Sequence, residues 1–201
     1  MYIGQSIPHI SSFFELQFVE NPGMAFGWML PGDSGKLALS CFRIVAVIAI
    51  AWYMKKLRHS GAHRGLLICV AMIMAGAIGN IIDSAFYGLV FDQGMAFDEL
   101  RQVWMNYSGL AVMGNGGYTS FLMGNVVDMF HFTARVPEWL PFIEGTPEIF
   151  PPVFNVADSS IFFGVAIIII RQKTFFGKKK GPEEPGPESA AEALPPEELP
   201  S

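Results

Sequence analysis

Three long runs of apolar residues dominate the pattern along the chain. The runs cover about residues 37–54, 65–86 and 154–170. A helix needs about 20 apolar residues, and at least about 17, to cross the hydrocarbon core of a bilayer. All three runs approach or reach that length, so the pattern predicts three transmembrane helices in a mainly α-helical membrane protein.

Shorter segments outside these runs carry weaker patterns. Residues 13–20 alternate partly between apolar and polar side chains, which predicts a short strand with one apolar face. Residues 126–132 are apolar and fit either a strand or an interfacial helix. Residues 24–30 are apolar enough to lie at a membrane surface, and residues 31–35 have the composition of a loop.

The C-terminal part of the chain has a different composition. It is rich in proline, glutamate and alanine and shows no apolar period, which is typical of disorder. We therefore expect residues 1–173 to form one membrane domain and residues 174–201 to form a disordered tail.

Composition and charge narrow the class of protein. Hydrophobic residues make up 51% of the chain and charged residues only 15%, which is ordinary for a small membrane protein and unusual for a soluble domain. The formal net charge of −5 argues against a nucleic-acid partner.

The distribution of lysine and arginine predicts the orientation in the membrane. Basic residues cluster in the loop at residues 55–64 and directly after residue 170, whereas residues 1–36 and 87–153 contain few. Because cytoplasmic segments carry the excess of positive charge, the basic loop and the C-terminus are predicted to be cytoplasmic. The polar residues inside the runs then lie near the outer face.

Polar residues recur at helical spacing near that end of two runs. In the second run, two glycines, an asparagine and an aspartate share one helix face, and the glycines allow another helix to approach closely. The third run repeats the Asn-x-x-Asp spacing. A carboxylate inside a span is costly and therefore indicates function. The group consists of Gly76, Gly79, Asn80, Asp83, Asn155 and Asp158.

Two other interpretations of this group are open at this point. It could be a polar plug in a helix-packing seam, or it could belong to a small transporter in which acids relay protons. A relay would distribute acids through the depth of the membrane. Asp83 and Asp158 lie at one depth, which favours a localised site.

Other kinds of chemistry have little support. Cys41 and Cys69 are too few for a structural zinc site, which needs four ligands. His59 and His63 are four residues apart, but they lie in the basic loop without an intervening glutamate. A serine nucleophile would lack its base, because no lysine lies inside a predicted span. We expect neither a metal nor an organic cofactor.

Four sequence blocks carry a resemblance to a known family. The blocks are Asn21-Pro22-Gly23-Met24-Ala25-Phe26, Gly76-Ala77-Ile78-Gly79-Asn80-Ile81-Ile82-Asp83, Val126-Val127-Asp128-Met129 and Phe154-Asn155-Val156-Ala157-Asp158. Together they resemble the lipoprotein signal peptidases, also called signal peptidase II, which are bacterial intramembrane aspartyl proteases. The resemblance implies four membrane helices and a small β-rich cradle outside the membrane. It also implies prolipoprotein substrates that carry diacylglycerol on the cysteine before which the enzyme cuts.

The resemblance implies the residues of the site as well. Asp128 and Asp158 would be the catalytic pair. The residues around them, which hold the pair or bind substrate, would be Asn21, Gly76, Gly79, Asn80, Asp83, Phe154, Asn155 and Ala157. The protein would be a monomer surrounded by lipid in the bacterial inner membrane, with its site near the periplasmic face. A catalytically inactive membrane chaperone of the same fold is the remaining alternative.

The chain departs from the family pattern in three ways. The first family helix is missing before residue 1, Ser84 stands where an arginine is expected, and residues 84–127 form an external insertion. The last two features resemble Bacteroidetes-type members. We expect an upstream helix, because nothing before Leu37 would export residues 1–36. Reading the frame upstream of Met1 tests this expectation.

Asp92 competes with Asp128 as the partner of Asp158. Asp92 has the usual family spacing from Asp83, but Gln93 and further acids follow it, so its surroundings resemble a solvated loop. Asp128 precedes an apolar stretch that suits a membrane boundary, where a carboxylate acquires the raised pKa that a shared proton requires. We therefore predict that Asp128 pairs with Asp158.

Overall fold

The computed structural model describes residues 2–11, 13–23, 32–136 and 148–177. Within these ranges the helices are α1 (Gly32–His59), α2 (Arg64–Val90), α3 (Val156–Ile170) and α4 (Gln172–Phe176). The strands are β1 (Ser6–Ser11), β2 (Phe14–Asn21), β3 (Ala96–Asp98), β4 (Val103–Met105) and β5 (Val126–Phe132). The predicted surface segment at residues 24–30 and the predicted tail from residue 178 onwards lie outside the described residues.

Two of the helices are long and apolar enough to cross a membrane. These are α1 and α2, and α3 is apolar but shorter. Large apolar side chains are exposed along them, and Phe42 and Trp52 on α1 are 69% and 66% exposed. Apolar surface of this extent is unfavourable in water, so it indicates contact with lipid.

Both long helices extend beyond their predicted ends. Residues 32–35, predicted as loop, form the first turn of α1, where Asp33 interacts favourably with the positive end of the helix. The first half of the predicted basic loop also belongs to α1, whose last turn holds Lys56 and Arg58 near the negative end. Helix α2 continues to Val90, so the first residues of the predicted insertion are helical.

Helix α2 packs mainly against α3, and glycines set the distance between them. A Cβ atom on Gly76 would lie 2.3 Å from the carbonyl oxygen of Ala157. A Cβ atom on Gly164 would lie 2.8 Å from the carbonyl oxygen of Cys69. Only glycine fits at these contacts, so the two backbones approach closely, as the small residues in the sequence predicted.

Helix α4 corrects the predicted start of the tail. Residues 172–176 are helical, and the ring of Phe175 lies 5.2 Å from that of His63. Phe175 also packs against the buried cluster of Leu57, Leu66 and Val70 at the end of the bundle formed by the α1–α2 turn. Phe175, which the sequence placed in the tail, therefore packs against the helices, because its ring has an apolar surface to cover.

A small antiparallel sheet lies at the other end of the helices, with strand order β1-β2-β5. Residues 126–132 therefore form a strand, which resolves the choice that the sequence left open. Strand β2 confirms the strand predicted at residues 13–20, and β1 was not predicted. The register pairs Val19 with Asp128 and Asn21 with Val126.

The insertion folds back onto the end of α2. It contains the β3–β4 hairpin and an isolated bridge between Phe91 and Met113. The backbone N–H of Gly124 donates to the carbonyl of Ser84 at 2.8 Å. This return brings the chain to the first residue of β5 beside α2.

Candidate active site

Helix α3 begins with a capping box that contains two of the predicted site residues. Asn155 is the N-cap, and its side-chain oxygen accepts the backbone N–H of Asp158 at 2.9 Å. The Asp158 carboxylate accepts the backbone N–H of Asn155 at 3.4 Å. The sequence predicted that Asn155 lies inside the helix, whereas in the structure it directly precedes the first helical residue. The cap satisfies N–H groups that the first turn leaves without helical partners.

The amide of Asn155 joins the two predicted catalytic acids. Its Nδ2 donates to Asp128 Oδ1 at 2.8 Å and to Asn80 Oδ1 at 3.2 Å. Asn80 Nδ2 in turn donates to Asp158 Oδ1 at 2.9 Å. Side chains from α2, β5 and the start of α3 therefore form one hydrogen-bonded network, and both carboxyl groups are part of it.

Asp128 is held from the sheet side as well. Its Oδ2 accepts a hydrogen bond of 3.0 Å from Asn21 Nδ2 on β2. The neighbouring backbone N–H of Val127 donates to Asp83 Oδ2 on α2 at 3.2 Å, which ties the strand to the helix. Asp83 thus contacts the strand that carries Asp128.

Burial makes the carboxyl group of Asp128 a weaker acid than that of an ordinary aspartate. The residue is 2% exposed, and burial raises the pKa of its carboxyl to about 6 because it disfavours the charged form. Hydrogen bonds from Asn21 and Asn155 lower the pKa, while the charges of Asp158 and Asp83 raise it. A carboxyl in this environment can hold a proton close to neutral pH.

Phe154 attaches the start of α3 to β5. Its backbone N–H donates to the carbonyl of Phe130 at 3.0 Å, and its carbonyl accepts the N–H groups of Met129 and Phe130. Its ring stacks on that of Phe132 at 5.6 Å. This bridge fixes Asn155, the next residue, beside the strand that carries Asp128.

Two cavities flank the start of α3. One, of about 680 Å³, is lined by Phe14, Phe130, Phe132, Phe150, Phe154, Asp158, Ser159, Phe162 and Phe163. The other, of about 430 Å³, is lined by residues that include Gly76, Gly79, Asn80, Asp83, Asn155 and Ala157. The network that joins the acids therefore borders both an aromatic cavity and a cavity beside the glycine face of α2.

Asp92 lies apart from this network. Its carboxylate accepts the backbone N–H of Val112 at 2.7 Å, a contact within the insertion. The two serines after Asp158 also have structural partners. Ser159 donates to the carbonyl of Asn155 and Ser160 to that of Met72, each at 2.8 Å.

Sequence reasoning missed Arg43. Its Nη1 donates to Ser84 Oγ at 3.3 Å, and the charges of Asp158 and Asp128 act on its guanidinium. A positive group in an apolar run is costly unless it has partners. That cost was the available signal, because it predicts that Arg43 faces acids in the bundle.

Comparison with known proteins identifies the family. The family model for signal peptidase (SPase) II matches residues 1–174. The chain belongs to the signal peptidase II family. This confirms the resemblance drawn from the four sequence blocks, and with it the assignment to the membrane aspartic endopeptidases.

Relatives agree with membership of the signal peptidase II family, and a solved structure shares the fold. A lipoprotein signal peptidase of Porphyromonas gingivalis is 41% identical over 176 residues, which cover 85% of this chain and 71% of the relative. One of Amoebophilus asiaticus is 31% identical over 175 residues, which cover 85% and 66%. A bacterial membrane enzyme solved at 2.3 Å by the in meso method is 20% identical to this chain, with a TM-score of 0.50. The match covers 91% of this chain and 80% of the chain of that enzyme, and it supports the fold alone.

Proposed function

We propose that this signal peptidase II cuts diacylglyceryl-modified prolipoproteins directly before the lipidated cysteine, with Asp128 and Asp158 as its catalytic pair. Membership of the family gives the reaction class, the removal of signal peptides from prolipoproteins. The observation that carries the assignment of residues is the hydrogen-bonded network, in which Asn155 donates to a carboxylate oxygen of each acid.

The chemistry requires one ionised and one protonated carboxyl. Two neighbouring carboxylates do not ionise together easily, so the pair shares one proton. Asp128 holds that proton, since burial raises its pKa. The ionised partner takes a proton from the attacking water, and the protonated acid polarises the scissile carbonyl and stabilises the tetrahedral oxyanion. The network holds both acids in place for this exchange.

The surroundings suit a substrate that is part peptide and part lipid. The aromatic cavity beside Asp158 offers apolar surface, and the polar network lies at its border. The acyl chains of the substrate stay in the bilayer while the peptide backbone reaches the two acids. Neither metal nor organic cofactor enters this mechanism.

The proposal includes the orientation of the protein in the membrane. Three spans, α1, α2 and α3, cross the bacterial inner membrane, and the sheet and the acids lie at its periplasmic face. The basic residues at the α1–α2 turn lie on the opposite side, as the excess of positive charge in cytoplasmic segments requires. The C-terminus is then cytoplasmic, and the enzyme acts as a monomer.

A cleavage assay tests this function. We expect the purified protein to shorten a prolipoprotein that carries diacylglyceryl-cysteine and to leave the same precursor uncut when it is not lipidated. A transporter or an inactive chaperone of this fold would cut neither. Cleavage of the unlipidated precursor at an equal rate would contradict the proposed substrate.

The pH dependence of cleavage follows from the raised pKa of Asp128. Below that pKa, which is about 6, the pair retains its proton, and as the pH rises above it the proton is lost. We therefore expect kcat to fall on an alkaline limb whose midpoint lies at or above about pH 6. A kcat that keeps rising through this range would mean that Asp128 does not hold the proton. The measurement is initial rates at saturating substrate over a range of pH.

Substitution of Asn155 separates its two roles. Serine at this position still caps α3, because its hydroxyl accepts a backbone N–H, but it has no amide to donate to Asp128 and Asn80. We expect Asn155→Ser to keep most of the stability and to reduce kcat/KM about 100-fold, a typical cost of misplaced catalytic groups.

Alanine is the matched control for that experiment. Asn155→Ala loses the cap as well, which costs about 1 kcal/mol of stability in addition to the activity. Thermal unfolding in detergent and the cleavage assay measure the two effects. If Asn155→Ser cleaves at the wild-type rate, the amide contacts to the acids are dispensable.

A further inference from the structure

Three buried polar side chains form a cluster on the insertion side of the sheet. Glu20, Asn125 and Lys36 are 2%, 0% and 6% exposed. They come from β2, from the residue before β5 and from the second turn of α1. Buried charges are costly unless they are paired and hydrogen-bonded, so a cluster of this kind needs an explanation.

The bonds within the cluster allow only one arrangement. Lys36 Nζ donates to Asn125 Oδ1, and Asn125 Nδ2 donates to Glu20 Oε2 at 2.7 Å. An ammonium can only donate and a carboxylate can only accept, so the amide orientation is fixed. Asn125 Nδ2 donates its other hydrogen atom to the carbonyl oxygen of Met95, at a distance of 3.0 Å. The amide of Asn125 thus links two opposite charges.

The insertion surrounds this cluster. The backbone N–H of Met95 donates to Glu20 Oε2 at 2.9 Å, and the backbone N–H of Asn125 donates to the hydroxyl of Tyr118 at 2.8 Å. The ammonium of Lys36 lies 5.1 Å from the centre of the Trp104 ring. The cluster therefore attaches the insertion to α1 and to the sheet.

The cluster is also adjacent along the chain to the proposed catalytic site, because Glu20 directly precedes Asn21, which donates to Asp128. Successive side chains of a strand point to opposite faces, so Glu20 faces the insertion while Asn21 faces Asp128. Asn125 directly precedes the Val126–Asp128 segment, and the register pairs Glu20 with Val127. Both strands that meet at Asp128 are thus held by the cluster on their other side.

We propose that the Glu20–Asn125–Lys36 cluster positions Asp128 for catalysis, by holding β2 and β5 in the register at which Asn21 reaches its carboxylate. The inference rests on the proposed function. Glu20, Asn125 and Lys36 are positioning residues and do not touch substrate. The insertion thereby becomes part of the catalytic apparatus, since it supplies Asn125 and the groups that bind Glu20.

A purely structural role gives a different expectation. A buried ion pair contributes little net stability and can often be replaced by uncharged groups. If the cluster only fastens the insertion, a folded variant without its charges retains wild-type kcat. If it positions Asp128, that variant loses kcat even when its stability is unchanged.

The test compares three variants with the wild-type enzyme. The double variant Glu20→Gln/Lys36→Met removes both charges while keeping similar side-chain volumes. Tyr118→Phe removes only one hydroxyl group, and it takes the place of the double variant if that variant fails to fold. Arg101→Ala is the control, because this residue lies in the same insertion but is exposed. We expect kcat to fall about tenfold in the folded double variant and by less in Tyr118→Phe, with little change in KM. In Arg101→Ala we expect kcat to stay at the wild-type value.

The pH profile gives the decisive reading. The Asn21 hydrogen bond lowers the pKa of Asp128, so its loss moves the alkaline limb of kcat to higher pH. The other groups that act on Asp128, namely Asp158 on α3, Asp83 on α2 and Arg43 on α1, are unchanged in these variants. A folded double variant, or Tyr118→Phe in its place, with wild-type kcat and an unmoved limb overturns the proposal.

A measurement without substrate keeps this test independent of the proposed function. The carboxyl stretching band of Asp128, identified by its absence in Asp128→Asn, can be titrated by infrared difference spectroscopy. The double variant Glu20→Gln/Lys36→Met and Tyr118→Phe should shift this titration to higher pH, and Arg101→Ala should not, even if the protein cleaves no lipoprotein. An unchanged titration overturns the positioning role, whereas a failed cleavage assay with a shifted titration counts against the function alone.

Discussion

Asp158→Asn leaves a folded, membrane-inserted protein with no measurable peptidase activity. The asparagine has the shape of the aspartate, so the packing of α3 against α2 is retained. It cannot take up or share a proton, and the mechanism loses its acid–base partner. General acid–base groups contribute about 10²–10⁴-fold to the rate, so we expect a loss of at least that size. Cleavage of a lipidated prolipoprotein measures it.

The structure also predicts a small cost in stability for this variant. The two oxygens of Asp158 accept hydrogen bonds from Asn80 Nδ2 and from the backbone N–H of Asn155. An amide NH₂ replaces one of these acceptors and faces a donor, which costs about 1–3 kcal/mol. Thermal unfolding checks that the inactive protein is folded. Normal processing by a folded Asp158→Asn variant would exclude Asp158 from the catalytic pair.

Asp128→Asn is expected to be as inactive as Asp158→Asn, whereas Asp92→Asn keeps nearly full activity. Asp128 is buried and contacts Asn21 and Asn155, while the carboxylate of Asp92 accepts the N–H of Val112 within the insertion. Catalytic groups that act as a unit are not additive. The double variant of Asp128 and Asp158 should therefore be no slower than either single variant.

Asp92→Asn is a suitable control because it changes the same functional group on the same side of the protein. The three single variants and the double variant are compared by kcat/KM on one lipidated substrate. An inactive Asp92→Asn beside an active Asp128→Asn would reverse the assignment of the pair while leaving the enzyme class unchanged. A double variant much slower than both single variants would mean that the two acids act separately.

The sequence predicted the helical part of the fold because long apolar runs are local signals. It placed the helix ends too early at residues 54 and 86. At residue 54 the reason is that charged residues at a helix terminus resemble a loop in a hydropathy pattern. Those residues are helical in the structure, and at the end of α1 Lys56 and Arg58 interact favourably with the helix dipole. The family blocks predicted which residues would lie near one another.

The insertion was not predictable in the same way. Its structure depends on contacts between distant residues, such as the bridge from Phe91 to Met113 and the bond from Asn125 to Glu20. Such contacts produce no periodic pattern of apolar residues in the local sequence. The N-cap role of Asn155, by contrast, could have been predicted, because prolines precede Asn155 and an acid follows it three residues later.

The capping box at the start of α3 has a consequence for inhibition. The carboxylate of Asp158 is both an acid of the proposed pair and the acceptor that caps the backbone of Asn155. An inhibitor whose hydroxyl group binds Oδ2 of this carboxylate shares that oxygen atom with the N–H of Asn155. We expect an inhibitor that displaces this N–H to speed hydrogen exchange at the Asn155 amide, and an inhibitor that leaves the N–H bonded to Oδ2 not to change that exchange.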